Sequence, residues 1–265
     1  MSPSDVGPDP STPIEPRPPG TPAEPALRSP SVWERTARVF VNPARAWDGL
    51  ETRQRWWFPL LIFVILQVVL LLATYHRVLL PTMVEQWNQS VEKGQMQPAQ
   101  LDKIEDFFAN NPLGMAVVCA QQAVIVPIVL LLVALVGWFG VGFVLGTRFP
   151  YRLSLEVFTW GLLIRLPETI LTFAIAWTNE TLNGIHFGLG ALLPVEETPT
   201  KLHAGLGVLL DAVGPFNIWY LFVVIVGCSV LSGAPRKNVA WVLTALYLAL
   251  TVVFALVAAS FGPGA

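Results

Sequence analysis

The chain has 265 residues, 54% hydrophobic and only 13% charged, about half the charged share of an ordinary soluble domain. That balance excludes a water-soluble globular fold. A formal net charge of −2 excludes nucleic acid as a partner, which needs a strong basic field.

Residues 1–30 hold ten of the 23 prolines, spaced by Ser, Thr, Asp and Glu. Such a segment buries too little apolar surface to offset its ordering entropy, so a disordered tail is expected. It lacks the basic and apolar regions of a cleaved signal peptide. A run such as Pro16-Arg17-Pro18-Pro19 reads as linker before it reads as a docking motif.

Residues 31–55 are expected to form juxtamembrane amphipathic helices. Val32, Trp33, Thr36, Val39 and Phe40 recur at helical spacing, opposite Glu34, Arg35 and Arg38. Asn42-Pro43 restarts a helix, with Asn as N-cap and Pro in the first turn, and Ala46, Trp47 and Leu50 continue the apolar face. Trp33, Arg38, Phe40, Pro43, Arg45 and Trp47 are therefore candidates for a cytoplasmic surface that meets the membrane or a partner. Basic residues beside an apolar face suit an anionic inner leaflet. Packing beneath the bundle is an equally simple explanation.

Five long apolar stretches make 56–265 a membrane domain, because a helix crossing the ~30 Å hydrocarbon layer needs about 20 residues. The expected spans are Trp56–His76, Met115–Phe139, Val157–Trp177, Phe216–Leu231 and Val239–Phe261. The fold class is thus all-α: a polytopic membrane protein of five transmembrane helices. The second span should kink near Pro127 and leave through Gly137, Gly140, Gly142 and Gly146. Gly142 and Gly146 form a GxxxG pair that permits close helix approach. The first outer connection holds two polar helical stretches, near Pro81–Glu92 and from Pro98. The second holds the apolar Gly184–Leu193 run and a short helix from Thr198-Pro199 to Val213.

Eleven basic residues fall on the side of the N-terminus and four on the other, which places the N-terminus in the cytoplasm and the C-terminus outside. The sixteenth, Arg165, lies inside the third span together with Pro167 and Glu168. A central Arg costs about 2.5–3.5 kcal/mol on insertion, and the acid costs a similar amount, so this helix needs neighbours. Arg165 and Glu168 share a helix face and can pair. Pro167 removes the hydrogen bond to the Leu163 carbonyl, leaving an acceptor for Arg165 or a neighbour. The three residues form a candidate intramembrane polar site for an ion, a lipid headgroup or a partner's polar side chain. A structural pair that fixes helix packing is the simpler reading.

Nothing here points to a reaction. His76, His186 and His203 lack metal-ligand spacing and sit near membrane ends. Cys119 and Cys228 read as small buried hydrophobes. There is no GxSxG elbow, Walker loop or GxGxxG turn, so no catalytic residue, metal or cofactor is expected.

Phe40-Val41-Asn42-Pro43-Ala44-Arg45-Ala46-Trp47 before the first span resembles the start of bacterial-type members of the YIP family (Ypt-interacting protein, Yip-one domain). Leu210-Asp211, Phe216 and Trp219, then Gly227, Lys237 and Ala240, are similar to that family's ending. The resemblance covers about Val32 to Phe261. It implies a helical membrane bundle with no known catalytic centre, in a bacterial cytoplasmic membrane. The expected function is non-enzymatic: scaffolding or organising membrane components, with membrane lipids and membrane proteins as partners. The alternative is a transporter or channel subunit with a polar site on the third span.

Overall fold

In hydrocarbon the backbone must satisfy its own hydrogen bonds, and this chain does so with helices. The computed structural model describes residues 31–50, 55–182, 184–194 and 200–261, and no strand occurs among them. The proline-rich tail, residues 51–54 and the Thr198-Pro199 helix start lie outside the described residues. Five helices are long and apolar enough to cross a membrane: Trp57–Glu92, Pro112–Val144, Tyr151–Asn179, Pro215–Ser232 and Arg236–Ser260. On the first, Leu61, Ile65, Val69 and Leu72 form an exposed apolar stripe at steps of three and four, a face that suits lipid.

Helix α1 (Val32–Val41) starts in a capping box. The Glu34 N–H donates to Ser31 Oγ at 3.2 Å, and the Ser31 N–H to Glu34 Oε2 at 3.4 Å. One turn, α2 (Pro43–Ala46), follows, and Ala46, Trp47 and Leu50 enter the main core. These helices pack onto the bundle. Trp47 lies against Gly227, where an added Cβ would meet the indole at 2.7 Å. Arg35 is also buried, whereas Trp33 is exposed, which corrects the expected faces of α1. Arg35 stands three residues after Val32 and four before Val39, so it shares their side of the helix.

The first membrane helix is longer than expected. Helix α3 (Trp57–Thr74) passes through a π-helical turn at Tyr75–Leu79 into α4 (Leu80–Glu92). A π turn adds a residue without ending the helix, so the polar α4 rides on the same rod. Helix α5 (Pro98–Asn110) folds back on α4, with the Trp87 and Phe108 rings 5.4 Å apart. Helix α6 (Pro112–Trp138) runs through Pro127 and ends in a second π turn, Phe139–Val144. Close approach occurs at Gly137, beneath the Phe158 ring, and at Gly140, against Val242 and Leu246. It does not occur at the GxxxG pair: Gly142 faces the Phe149 carbonyl of the following loop, and Gly146, at φ +65°, turns the chain.

Helix α7 (Tyr151–Leu162) is the centre of the bundle, with every residue from Leu153 to Gly161 buried. The third span is not one continuous α-helix. A 3₁₀ turn at Leu163–Arg165 separates α7 from α8 (Leu166–Asn179). Pro167 has no N–H to offer Leu163, and the tighter turn gives that carbonyl to the Leu166 N–H. The acceptor expected for Arg165 is therefore occupied.

Helix α9 (Lys201–Asp211) precedes α10 (Pro215–Ser232) and α11 (Arg236–Phe261). It runs antiparallel along the C-terminal half of α11. A Cβ at Gly205 would meet the Ala255 carbonyl oxygen at 3.1 Å, and Tyr247 Oη donates to the Ala212 carbonyl at 2.8 Å. The connection between the third and fourth spans thus lies beside a membrane-length helix.

Candidate functional site

The broken third span opens onto a cavity of about 610 Å³. Its walls come from α3 (Phe63, Gln67), α6 (Val129, Leu130), the third span (Leu162, Arg165, Thr169), the α9–α10 turn (Asp211, Ala212), α10 (Asn217, Tyr220) and α11 (Tyr247, Thr251, Phe254). Helices that are apolar toward lipid thus turn a few polar side chains to a common interior. This is the usual make-up of a ligand site: an apolar lining with a small set of polar groups.

Arg165 stands in this wall at the end of the 3₁₀ turn. Its Nε donates to Glu168 Oε2 at 2.9 Å, and the Glu168 side chain is largely buried. The expected ion pair is present. Pro167 occupies the first turn of α8 and acts through the break it imposes. Arg165 alone of the three lines the cavity.

At the α9–α10 turn, Asp211 Oδ2 is 2.6 Å from His186 Nδ1, and Asn217 Nδ2 donates to the Asp211 carbonyl at 2.9 Å. The Gly188–Leu192 loop wraps this acid closely; a Cβ at Gly190 would collide with Asp211 Oδ1. His186 is thus tied to a carboxylate rather than idling at an interface. Asp211 belongs to the Leu210–Trp219 pattern, which was the available sequence signal for it; its carboxylate contact with His186 spans a loop and was not legible.

The N-terminal candidates divide. Trp33 is exposed, edge-on to Phe58 at 6.1 Å, and Arg45 is exposed. Phe40 and Pro43 are half-buried. Arg38 pairs with Glu34 at 2.5 Å and donates to the Arg45 carbonyl at 3.3 Å, so it braces α1 against α2. Trp47 does not lie on the surface at all: it is 1% exposed, because the small Gly227 leaves a slot for the indole.

Beneath these helices lies a polar cluster absent from the expected site. Glu156 is fully buried in α7. Its Oε1 accepts the Trp56 N–H at 2.8 Å and its Oε2 accepts Trp160 Nε1–H at 3.0 Å. The first of these bonds satisfies an orphan donor at the start of α3. The Arg35 guanidinium lies 5.6 Å above the Trp160 ring and donates to the Asp48 carbonyl at 2.9 Å. Burial pulls Arg35 below the usual guanidinium range, and Glu156 and Asp48 oppose that pull by attraction. The cluster joins α1, α3 and α7 at one point. A lone acid amid apolar α7 residues was its one visible sign.

Among the described residues, no group of three or more His, Cys, Asp or Glu side chains could hold a metal ion. What the cavity can do chemically is hold a polar or charged group in an otherwise apolar space. Compared with known proteins, residues 37–259 match the family model described as the Yip1 domain. No curated protein and no solved structure matches.

Proposed function

The chain belongs to the Yip1 domain family, and from that premise we propose that it is a non-enzymatic membrane protein that organises other membrane components. The observation that carries this reading is the N-terminal platform. Helices α1 and α2 are anchored in the core through Trp47, yet Trp33 is 73% and Val41 85% exposed. Apolar side chains held open on an anchored amphipathic helix suit a docked protein or a lipid surface. The excess of basic residues on this side supports a cytoplasmic N-terminus and an outer C-terminus in a bacterial cytoplasmic membrane. A photo-crosslinking amino acid at Val41 should capture a discrete membrane protein or lipid in cells. Trp33→Glu should reduce that adduct about tenfold by placing a charge in the contact. An adduct pattern indifferent to Trp33→Glu rules the platform out as the docking surface.

The broken third span beside a cavity that holds a few polar groups favours a second reading, a transporter or channel subunit, since such proteins use discontinuous helices at their binding sites. Purified protein in sealed vesicles should then move solute at a rate that Arg165→Leu abolishes. Equal flux in empty and loaded vesicles removes this reading.

A further inference from the structure

We propose that the cavity between α3, α6, α8, α9, α10 and α11 binds one membrane lipid, with the headgroup phosphate held by Arg165 and the acyl chain against the apolar wall. The inference rests on neither reading of function above. A volume of about 610 Å³ admits a headgroup and part of a chain. Most of the lining is apolar, including Phe63, Val129, Leu162 and Phe254.

Three polar groups of the lining, Arg165, Gln67 and Tyr220, keep donors without a partner among the described residues, whereas Asn217, Tyr247 and Thr251 donate to backbone carbonyls. Only Nε of Arg165 is engaged, by Glu168; its two terminal nitrogens have no hydrogen-bond partner among the described residues. Gln67 and Tyr220 line the same space, and neither side chain has a hydrogen bond among the described residues. Arg165, Tyr220 and Tyr247 line the same cavity from three different helices, so these groups converge. Unpaired N–H and O–H groups around a guanidinium suit an anionic acceptor. The two acids nearby do not oppose this. Glu168 is bound to Arg165, and Asp211 is bound to His186 through Oδ2, while its Oδ1 is buried beside Gly190. A phosphate is the fitting acceptor because a guanidinium fork holds it through paired hydrogen bonds. The lipid source follows from the lining, since a free anion has no use for the apolar wall.

The test uses the full chain in phosphatidylcholine vesicles doped with photoactivatable phosphatidylglycerol, followed by peptide mapping. Adducts are expected on α3, α6 and α10 residues of the cavity. Gln67→Leu, which breaks no hydrogen bond among the described residues, should cut them about threefold, and Arg165→Leu with Glu168→Leu about tenfold. Unchanged thermal unfolding of Gln67→Leu shows that its loss is not misfolding. Excess inorganic phosphate should not compete. The proposal is overturned if a photoactivatable diacylglycerol, which has no phosphate, labels the same peptides equally. It is also overturned if inorganic phosphate abolishes labelling, or if both variants label like the parent.

Discussion

Replacing Glu156 by alanine is expected to destabilise the folded chain by about 3 kcal/mol. The carboxylate is fully buried and accepts from both the Trp56 N–H and Trp160 Nε1–H. Its loss strands two donors and removes the negative charge that offsets buried Arg35. Leaving a buried charge uncompensated costs far more than never burying one, so the pattern across variants is diagnostic. Glu156→Gln keeps one of the two acceptor oxygens and should fall between parent and alanine. Arg35→Met alone strands the carboxylate. The double variant Arg35→Met with Glu156→Gln should therefore be more stable than additivity of the singles predicts. Thermal unfolding in one detergent measures the parent and all four variants. Strict additivity in this cycle means that the two charges do not act as a unit.

Trp47→Ala should cost about 3–5 kcal/mol, the usual range for emptying a large buried site. The side chain is 1% exposed and fills the slot that Gly227 opens between α10 and Val157. Its indole Nε1 is buried without a hydrogen bond, so the ring contributes through shape alone. Trp47→Phe should accordingly cost about 1 kcal/mol. Gly227→Val should be as harmful as Trp47→Ala, since its side chain claims the same space. Because Trp47 ties α2 to the bundle, Trp47→Ala should also expose α1 to limited proteolysis while the membrane helices stay protected. A variant whose α1 is no easier to cleave than the parent's shows that the platform is anchored elsewhere.

The two sites differ in how much of them was open to a reader of the sequence. Arg165 and Glu168 stood out because charge inside an apolar run is costly and local spacing dictates their pairing. Their cavity partners did not, since Gln67, Asn217 and Tyr247 look unremarkable until three helices meet. Glu156 hid at the edge of the third span, where an acid passes for a flanking residue. Arg35 was assigned to the polar face by its charge, although its spacing from Val32 and Val39 placed it with the apolar one. Charge overruled periodicity in that reading; in the fold, an acid on another helix and the Trp160 ring made burial of the arginine tolerable.

Helix type, number and polarity follow from the chain itself. An apolar run of membrane length leaves its backbone no water to bond with, and a helix is the local solution. The presence of five such runs and the resemblance to the Yip1 domain are of this kind. The tertiary structure alone decided the rest: that the first span continues through a π turn, that α9 lies along α11, and that Trp47 is core rather than surface. It also decided that Glu156 and Arg35 gather around the Trp160 ring while Arg165 opens onto a cavity. Each of these depends on contacts between residues far apart in sequence. Periodicity determines which face of a helix is apolar, and only packing determines what that face is set against.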